Sequence, residues 1–322
     1  MRLFNCPFQD VLSRLPHFKM IFADPPDNIG LGYSNYRDSL SAKDYANLLA
    51  DTLFLGSTKC DILWLSFNAQ HLPLLGNLTT TFLEKTGWCF KPCVQIFTFG
   101  QHNHRDFGNN HRPLWRFSRP GATFYPDAVR VPSWRQLNGD RRADPRGRVP
   151  GDCFDFPRVV GNSGQRRRWH PTQLHEDLYR RCVKFSCAPG EPVCDIYAGT
   201  GTLARVCQAT ENPCTLIESD VTYCKKLALE HNLHLLQAST PPEWRETMLN
   251  IKDFRGRDIV EGSTIAYPVR RGSSMWMAEV HVCRIIEEPG ADGLTPQPVL
   301  IGINKNGRRV RFTHPQRAVV LS

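Results

Sequence analysis

The stretch from residue 192 to 231 constrains the fold more than any other. An apolar run, Pro192–Tyr197, enters the turn Ala198-Gly199-Thr200-Gly201-Thr202, and helical spacing takes over at Leu203–Ala209. A strand at Cys214–Ile217 and a helix at Val221–His231 repeat the pattern. Strands separated by helices pair in parallel, because each helix returns the chain to the end where the last strand began. The N-terminal part has the same texture. Phe18–Ala23 reads as a buried strand stopped by Asp24-Pro25-Pro26, which a central strand cannot accommodate. Ser41-x-x-Asp44 predicts a capped helix through about Leu55, and Cys60–Phe67 a second buried strand. Pro73 and Gly76 interrupt any helix over 70–87, whereas residues 172–187 have helical spacing at Leu174, Leu178, Cys182 and Phe185.

Each of the two turns suggests chemistry. Glycines between a strand and a helix let a ligand approach the backbone, and the helix start offers unpaired N–H groups. Glu218, about 20 residues on from the turn, can accept hydrogen bonds from ribose hydroxyls. The turn suits NAD, FAD or S-adenosylmethionine (AdoMet), and no Lys-Ser/Thr follows it as a phosphate-binding P-loop requires. Asp24-Pro25-Pro26-Asp27 lies at a strand end, where α/β sheets place ligands. Its rigid backbone can direct the Asp24 carboxylate and the Pro25 carbonyl into one small volume. Two acceptors on the N–H bonds of an aromatic amine favour a pyramidal nitrogen and expose its lone pair to an electrophilic methyl group.

Charge and cysteine narrow the class. The 322 residues carry a formal +9, compatible with nucleic acid or an acidic membrane surface. Residues 101–170 hold fourteen arginines against six carboxylates, a net +8, and residues 251–322 a net +4. Arginine suits bidentate contacts to phosphate and guanine edges; a solvated Arg-rich loop is the plain alternative. Residues 100–168, rich in Gly, Pro, Arg and Asn, read as an insertion. The twelve cysteines form no C-x-x-C pair, so they predict no metal and fit buried thiols in a reducing compartment. No apolar run reaches membrane-spanning length, and nothing at the start reads as a secretory signal. From about 251 some five short β-rich runs predict an SH3-like or OB-like barrel. There Arg270, Arg271, Trp276, Arg308, Arg309 and Arg311 suit a phosphate backbone, barrel packing or a protein contact.

Taken together the motifs resemble the β-group amino-methylating DNA methyltransferases, the adenine-N6/cytosine-N4 family, over roughly residues 3–235. The catalytic motif comes first (ADPPDNIGLGY, 23–33), the Arg-rich region follows, and DIYAGTGT (195–202) comes last. Gly164-Gln-Arg-Arg-Arg-Trp-His170-Pro171-Thr172-Gln173 and the pair Glu218/Tyr223 match two further family motifs. The resemblance implies an α/β, Rossmann-like AdoMet-dependent sheet with a recognition insertion, in a catalytic domain of residues 1–250. The small β-barrel-like domain, 251–322, lies outside it. By resemblance Asp24, Pro25, Pro26 and Asp27 form the catalytic turn, and Asp195, Gly199, Gly201, Thr202, Glu218, His170 and Thr172 line the AdoMet pocket. Arg141, Arg142, Arg166, Arg167 and Arg168 become DNA contacts, with base flipping if the substrate is duplex.

Two residues depart from the pattern. Asp27 stands where the family has an aromatic that stacks on the flipped base, leaving Tyr33, Phe154 or Trp169 to supply a ring. Asn5 stands where an Asp near the cofactor adenine is usual. The reading is a cytoplasmic, bacterial or phage-type DNA methyltransferase acting on adenine N6, with room for a homodimer. Cytosine N4, a DNA-binding protein on a retired scaffold, and RNA methylation are the rivals.

Overall fold

The computed structural model describes residues 1–98, 103–236, 259, 264–271, 274–289, 296–305, 309–312 and 319–321. The chain divides into two compact units, Met1–Ala238 and Ser239–Ser322. The break expected at 250/251 lies outside the described residues.

The first unit is built on nine strands: β1 (Arg2–Asn5), β2 (Phe18–Ala23), β3 (Cys60–Ser66), β4 (Cys89–Ile96), β5 (His111–Ser118), β6 (Cys153–Asp155), β7 (Val193–Asp195), β8 (Cys214–Glu218) and β9 (Leu235–Leu236). Their order in the sheet is β6-β4-β5-β3-β2-β7-β8-β1-β9. From β3 to β9 all neighbours are parallel, while β5 runs antiparallel to both β3 and β4. The helices are α1 (Phe8–Val11), α2 (Ala42–Thr58), α3 (Leu72–Thr86), α4 (Trp134–Leu137), α5 (Glu176–Ser186), α6 (Thr202–Ala209) and α7 (Val221–His231).

Strand alternation divides the core between the two faces of the sheet. Met20, Phe22, Ile62 and Trp64 pack with α5, α6 and α7 through Leu178, Cys182, Leu203 and Leu227. Ile21, Ala23, Leu63 and Leu65 face α2 and α3 through Leu49, Leu53, Leu75 and Phe82. Nine of the described cysteines are buried among these side chains, and Cys89 and Cys153 are exposed. Among the described residues no helix is long and apolar enough to cross a membrane.

Two expectations need correcting. Residues 72–86 form a continuous helix: Pro73 falls in the first turn, where its missing N–H is no loss, and Gly87 (φ 66°) caps the end. Residues 100–168 are not wholly an insertion, because β5 is an inner strand of the sheet. Its pattern is obscured by Pro113 and by cations with internal partners. The Arg116 guanidinium lies over the rings of Phe124 (4.3 Å) and Phe185 (5.2 Å). Arg119 donates to the carbonyls of Cys60 and Ser57.

The second unit contains a five-stranded antiparallel sheet, ordered β13-β12-β11-β10-β14. The strands are β10 (Thr264–Arg271), β11 (Ser274–Pro289), β12 (Pro296–Asn304), β13 (Arg309–Phe312) and β14 (Val319–Val320). Ile259, Ile265, Val280, Val282 and Leu300 form its core. The side chains of Arg270, Arg271, Trp276, Arg308 and Arg309 lie outside the described residues.

One buried polar contact ties sheet to helix: Trp64 Nε1 donates to Ser186 Oγ at 2.9 Å. Ser186→Ala should leave that indole N–H unpaired and cost about 1–3 kcal/mol, read from urea unfolding.

Candidate active site

The register of β2 on β7 builds the site. Phe22 pairs with Asp195, so Asp24-Pro25-Pro26-Asp27 and Asp195–Gly199 leave the same edge of the sheet side by side.

In the first turn both carboxylates meet one cation. Arg112, on β5, donates from Nη2 to Asp24 Oδ1 at 2.8 Å and to Asp27 Oδ1 at 2.9 Å, and from Nη1 to Asp27 Oδ2 at 3.0 Å. Its Nε donates to Ser66 Oγ at 2.7 Å. Burial raises the Asp24 carboxyl above its ordinary range, Arg112 opposes that shift, and Asp27 adds to it. The turn's backbone is tied as well: Tyr45 donates to the Pro26 carbonyl at 2.9 Å, and His71 Nε2 contacts the Asp27 carbonyl at 2.6 Å.

The chain then follows a path set by Asp38. This buried carboxylate accepts from the backbone N–H groups of Asn28, Ile29 and Leu31, with Asn28 in the left-handed region at φ 53°. Beyond it Ser34 N donates to the Tyr223 hydroxyl, and Asn35 N to Asp220 Oδ2 at 2.7 Å. The loop after the first turn is thus bonded to the segment after β8.

The glycine turn is closely packed. Gly199 (φ 48°) and Gly201 (φ 67°) both have positive φ. A Cβ on Gly201 would lie 2.5 Å from Leu227 Cδ2, and one on Gly199 3.1 Å from His170 Nε2. Glu218 accepts from Gly199 N and Asp220 N, both at 2.8 Å, and burial pushes its carboxyl up to about 7. Asp195 accepts from Tyr197 N through Oδ1, whereas Oδ2 is buried with no protein partner. Burial pushes Asp195 up to about 8. His170 is pulled down to about 4 by burial and contacts the Thr172 carbonyl through Nδ1, so it is neutral at pH 7.

Two cavities meet at Asp24. The smaller, about 320 Å³, runs from the first turn past Phe8, Tyr33 and His170 to Gly199, Glu218 and Asp220. The larger, about 790 Å³, is more polar and reaches Asn68, Gln95, His111 and Arg158. Asp24, Asp27, Arg112 and Thr172 line both. The smaller cavity fits an AdoMet-sized group: the Gly199-Thr200 backbone and the Glu218 carboxylate lie on its wall, and Glu218 supplies acceptors there.

Asp24, Pro25, Pro26, Asp27, Gly199, Glu218, His170 and Thr172 all line the smaller cavity. Asp195, Gly201 and Thr202 stand behind it, with Thr202 Oγ1 2.8 Å from Thr200 Oγ1. Of the three candidate rings Tyr33 lines the smaller of these two cavities, and Phe154 and Trp169 line neither. Phe154 belongs to the core, 5.9 Å from Trp64, and Trp169 packs on Tyr223 at 5.5 Å. Asn5 holds the β8 end by donating to the carbonyls of Glu218 and Ser219. Among the arginines, Arg166 lines the larger cavity, Arg167 pairs with Glu230, and exposed Arg142 pairs with Asp140. Arg141 and Arg168 are exposed. Arg112, Ser66, Asp38, Tyr45, His71 and Asp220 were not expected from the sequence. Only Asp220 had a signal there, as an acid two residues after Glu218 at a helix start.

The family model described as "DNA methylase" for N6 and N4 methyltransferases matches residues 18–230. The DNA adenine methyltransferase YhdJ of Escherichia coli is 27% identical over 226 residues, 64% of this chain and 73% of that protein. The type II methyltransferase M.HpaI of Haemophilus parainfluenzae is 26% identical over 197 residues, 59% and 60% of the two chains. Among solved structures the fold is similar to the cytosine-N4-specific PvuII DNA methyltransferase, with TM-score 0.55 and 13% identity, covering 76% of this chain and 90% of that one. The M1.HpyAVI–SAM complex has TM-score 0.51 and 16% identity, covering 72% and 99%.

A buried carboxyl with a raised pKa favours the folded state most at low pH, and its contribution is lost as pH rises through the folded value. Asp195→Asn should therefore gain stability over the parent as pH rises from 5 to 8, by about 1–3 kcal/mol at pH 8 in urea unfolding. Gly201→Ala should cost about 1–3 kcal/mol in the same experiment, from the strained φ and the clash with Leu227.

Proposed function

Given that this chain belongs to the AdoMet-dependent amino-methylating DNA methyltransferases, we propose that its target is the N6 amino group of adenine. The proposal assigns the Asp24 carboxylate and the Pro25 carbonyl as the acceptors that hold this group. The observation that carries it is the place of Asp24, on the wall shared by two cavities. One is lined by the glycine turn and Glu218; the other is open enough for a base that has left the helix stack.

Bound AdoMet supplies an electrophilic methyl group. Glu218, with Gly199 beside it, would hold the ribose hydroxyls, while Asp195, behind the turn, fixes its backbone by accepting from Tyr197 N. Asp24 and Pro25 orient the amino nitrogen, and orientation supplies much of the rate in such a transfer. Flipping the base costs roughly a few kcal/mol, which phosphate contacts from Arg141, Arg142, Arg166 and Arg168 would offset. Arg167, already paired with Glu230, instead steadies the 164–173 segment.

The likeness to an adenine methyltransferase over most of that protein's length supports adenine. Cytosine N4 presents the same two donors to Asp24 and Pro25, and the fold shared with a cytosine-N4 enzyme keeps it as the second reading.

Incubation with labelled AdoMet and mixed-sequence duplex DNA, followed by nucleoside analysis, should yield N6-methyladenine. N4-methylcytosine alone would replace the proposed base, and no label in DNA despite AdoMet binding would refute the proposal. Asp24→Ala should reduce transfer at least about 100-fold while AdoMet still binds by calorimetry. Arg141→Gln and Arg168→Gln should each flatten the dependence of log K on log salt by about 0.9 for every phosphate the arginine neutralised.

A further inference from the structure

An acid as the fourth residue of the turn is unexpected beside a catalytic carboxylate, because two like charges in a buried site repel. Arg112 resolves the conflict. Four hydrogen bonds leave its guanidinium, three to the two carboxylates and one to Ser66. The Asp27 pair is bidentate and therefore fixes the guanidinium plane. β5, which carries Arg112, pairs with β4 at Arg112 itself and with β3 from Leu114 onward, so the base of the side chain is fixed as well.

We propose that Arg112 is the positioning residue of the transfer site and that Asp27 is the counter-charge that locks it in place. The proposal rests on the reading of Asp24 as the amine acceptor. With Oδ1 held by Arg112, the Asp24 carboxylate has one orientation in which to meet the amino group. A single carboxylate would be neutralised by the guanidinium. Two carboxylates on one cation leave a net negative charge, suited to a nitrogen that carries positive charge from methyl transfer until it loses its proton. Facing Asp24 are Arg112 from β5, Asp27 from the turn, Ser66 from β3, Asp195 from the end of β7, and the hydroxyls of Tyr33 and Tyr179. Arg112 is the one cation in that set.

The test is the pH dependence of kcat for the parent, Arg112→Gln, Arg112→Lys and Asp27→Asn, with AdoMet affinity from calorimetry and thermal melts alongside. Removing the cation should lower kcat by about 100-fold or more and move the acid limb to higher pH. Arg112→Lys should recover part of both effects. Asp27→Asn should move the limb the other way, to lower pH, with a smaller loss of rate. AdoMet affinity should change far less than kcat, because Arg112 and Asp27 line the smaller cavity where it meets the larger one, at the first turn. A structural role alone would lower the active fraction and leave the limb in place.

If Asp24→Ala is inactive while Arg112→Gln keeps the parental kcat and limb, this proposal is overturned and the Asp24 reading stands. If Asp24→Ala is active, the underlying reading has failed. Should Arg112→Gln not fold, Arg112→Lys and Asp27→Asn decide, and an unmoved limb in both refutes the proposal.

Discussion

The site depends on one parallel pairing, β2 against β7. Those two short strands are far apart in sequence, yet their register brings the proline turn and the glycine turn out at one edge. Slipping the register by a single residue would turn Phe22 and Met20 away from the face they share with α5 and α6. The buried apolar contacts on both faces therefore also specify how the two turns meet.

Around that pairing the structure places charge where water is scarce. Asp24, Asp27, Asp195, Glu218 and Asp220 crowd the two turns, and all but Asp24 are nearly inaccessible. Different devices make this tolerable. Arg112 neutralises part of the charge at the first turn, backbone N–H groups satisfy Glu218 and Asp220, and raised pKa values reduce the charge on Asp195 and Glu218. The site is thus strongly biased toward a ligand that brings donors and positive charge.

The alternation of strands and helices was legible in the sequence because apolar period and turn chemistry agreed there, as in Phe18–Ala23 and Val221–His231. The two turns were legible because proline and glycine leave few backbone choices. What escaped had no local signal that residue type could reveal. β5 was hidden because its arginines face internal acceptors and rings rather than solvent, which residue type alone does not reveal. The helix over Leu72–Thr86 was hidden because proline at a first turn and proline in mid-helix look alike until the start of the helix is known. Asp38 carries no signature because it binds backbone N–H groups of its own loop, which any sequence offers, and Arg112 because its carboxylates are brought near only by tertiary folding.

The distance between β2 and β7 along the chain also matters while the protein is being made. About 170 residues separate Ala23 from Val193, so at 5–20 residues per second the ribosome needs roughly 10–35 s to supply the second strand. During that interval one edge of β2, rich in Phe, Met and Ile, has no partner and is open to pairing with another nascent chain. The yield of active protein is then governed by synthesis rate and temperature as well as by the stability of the finished fold.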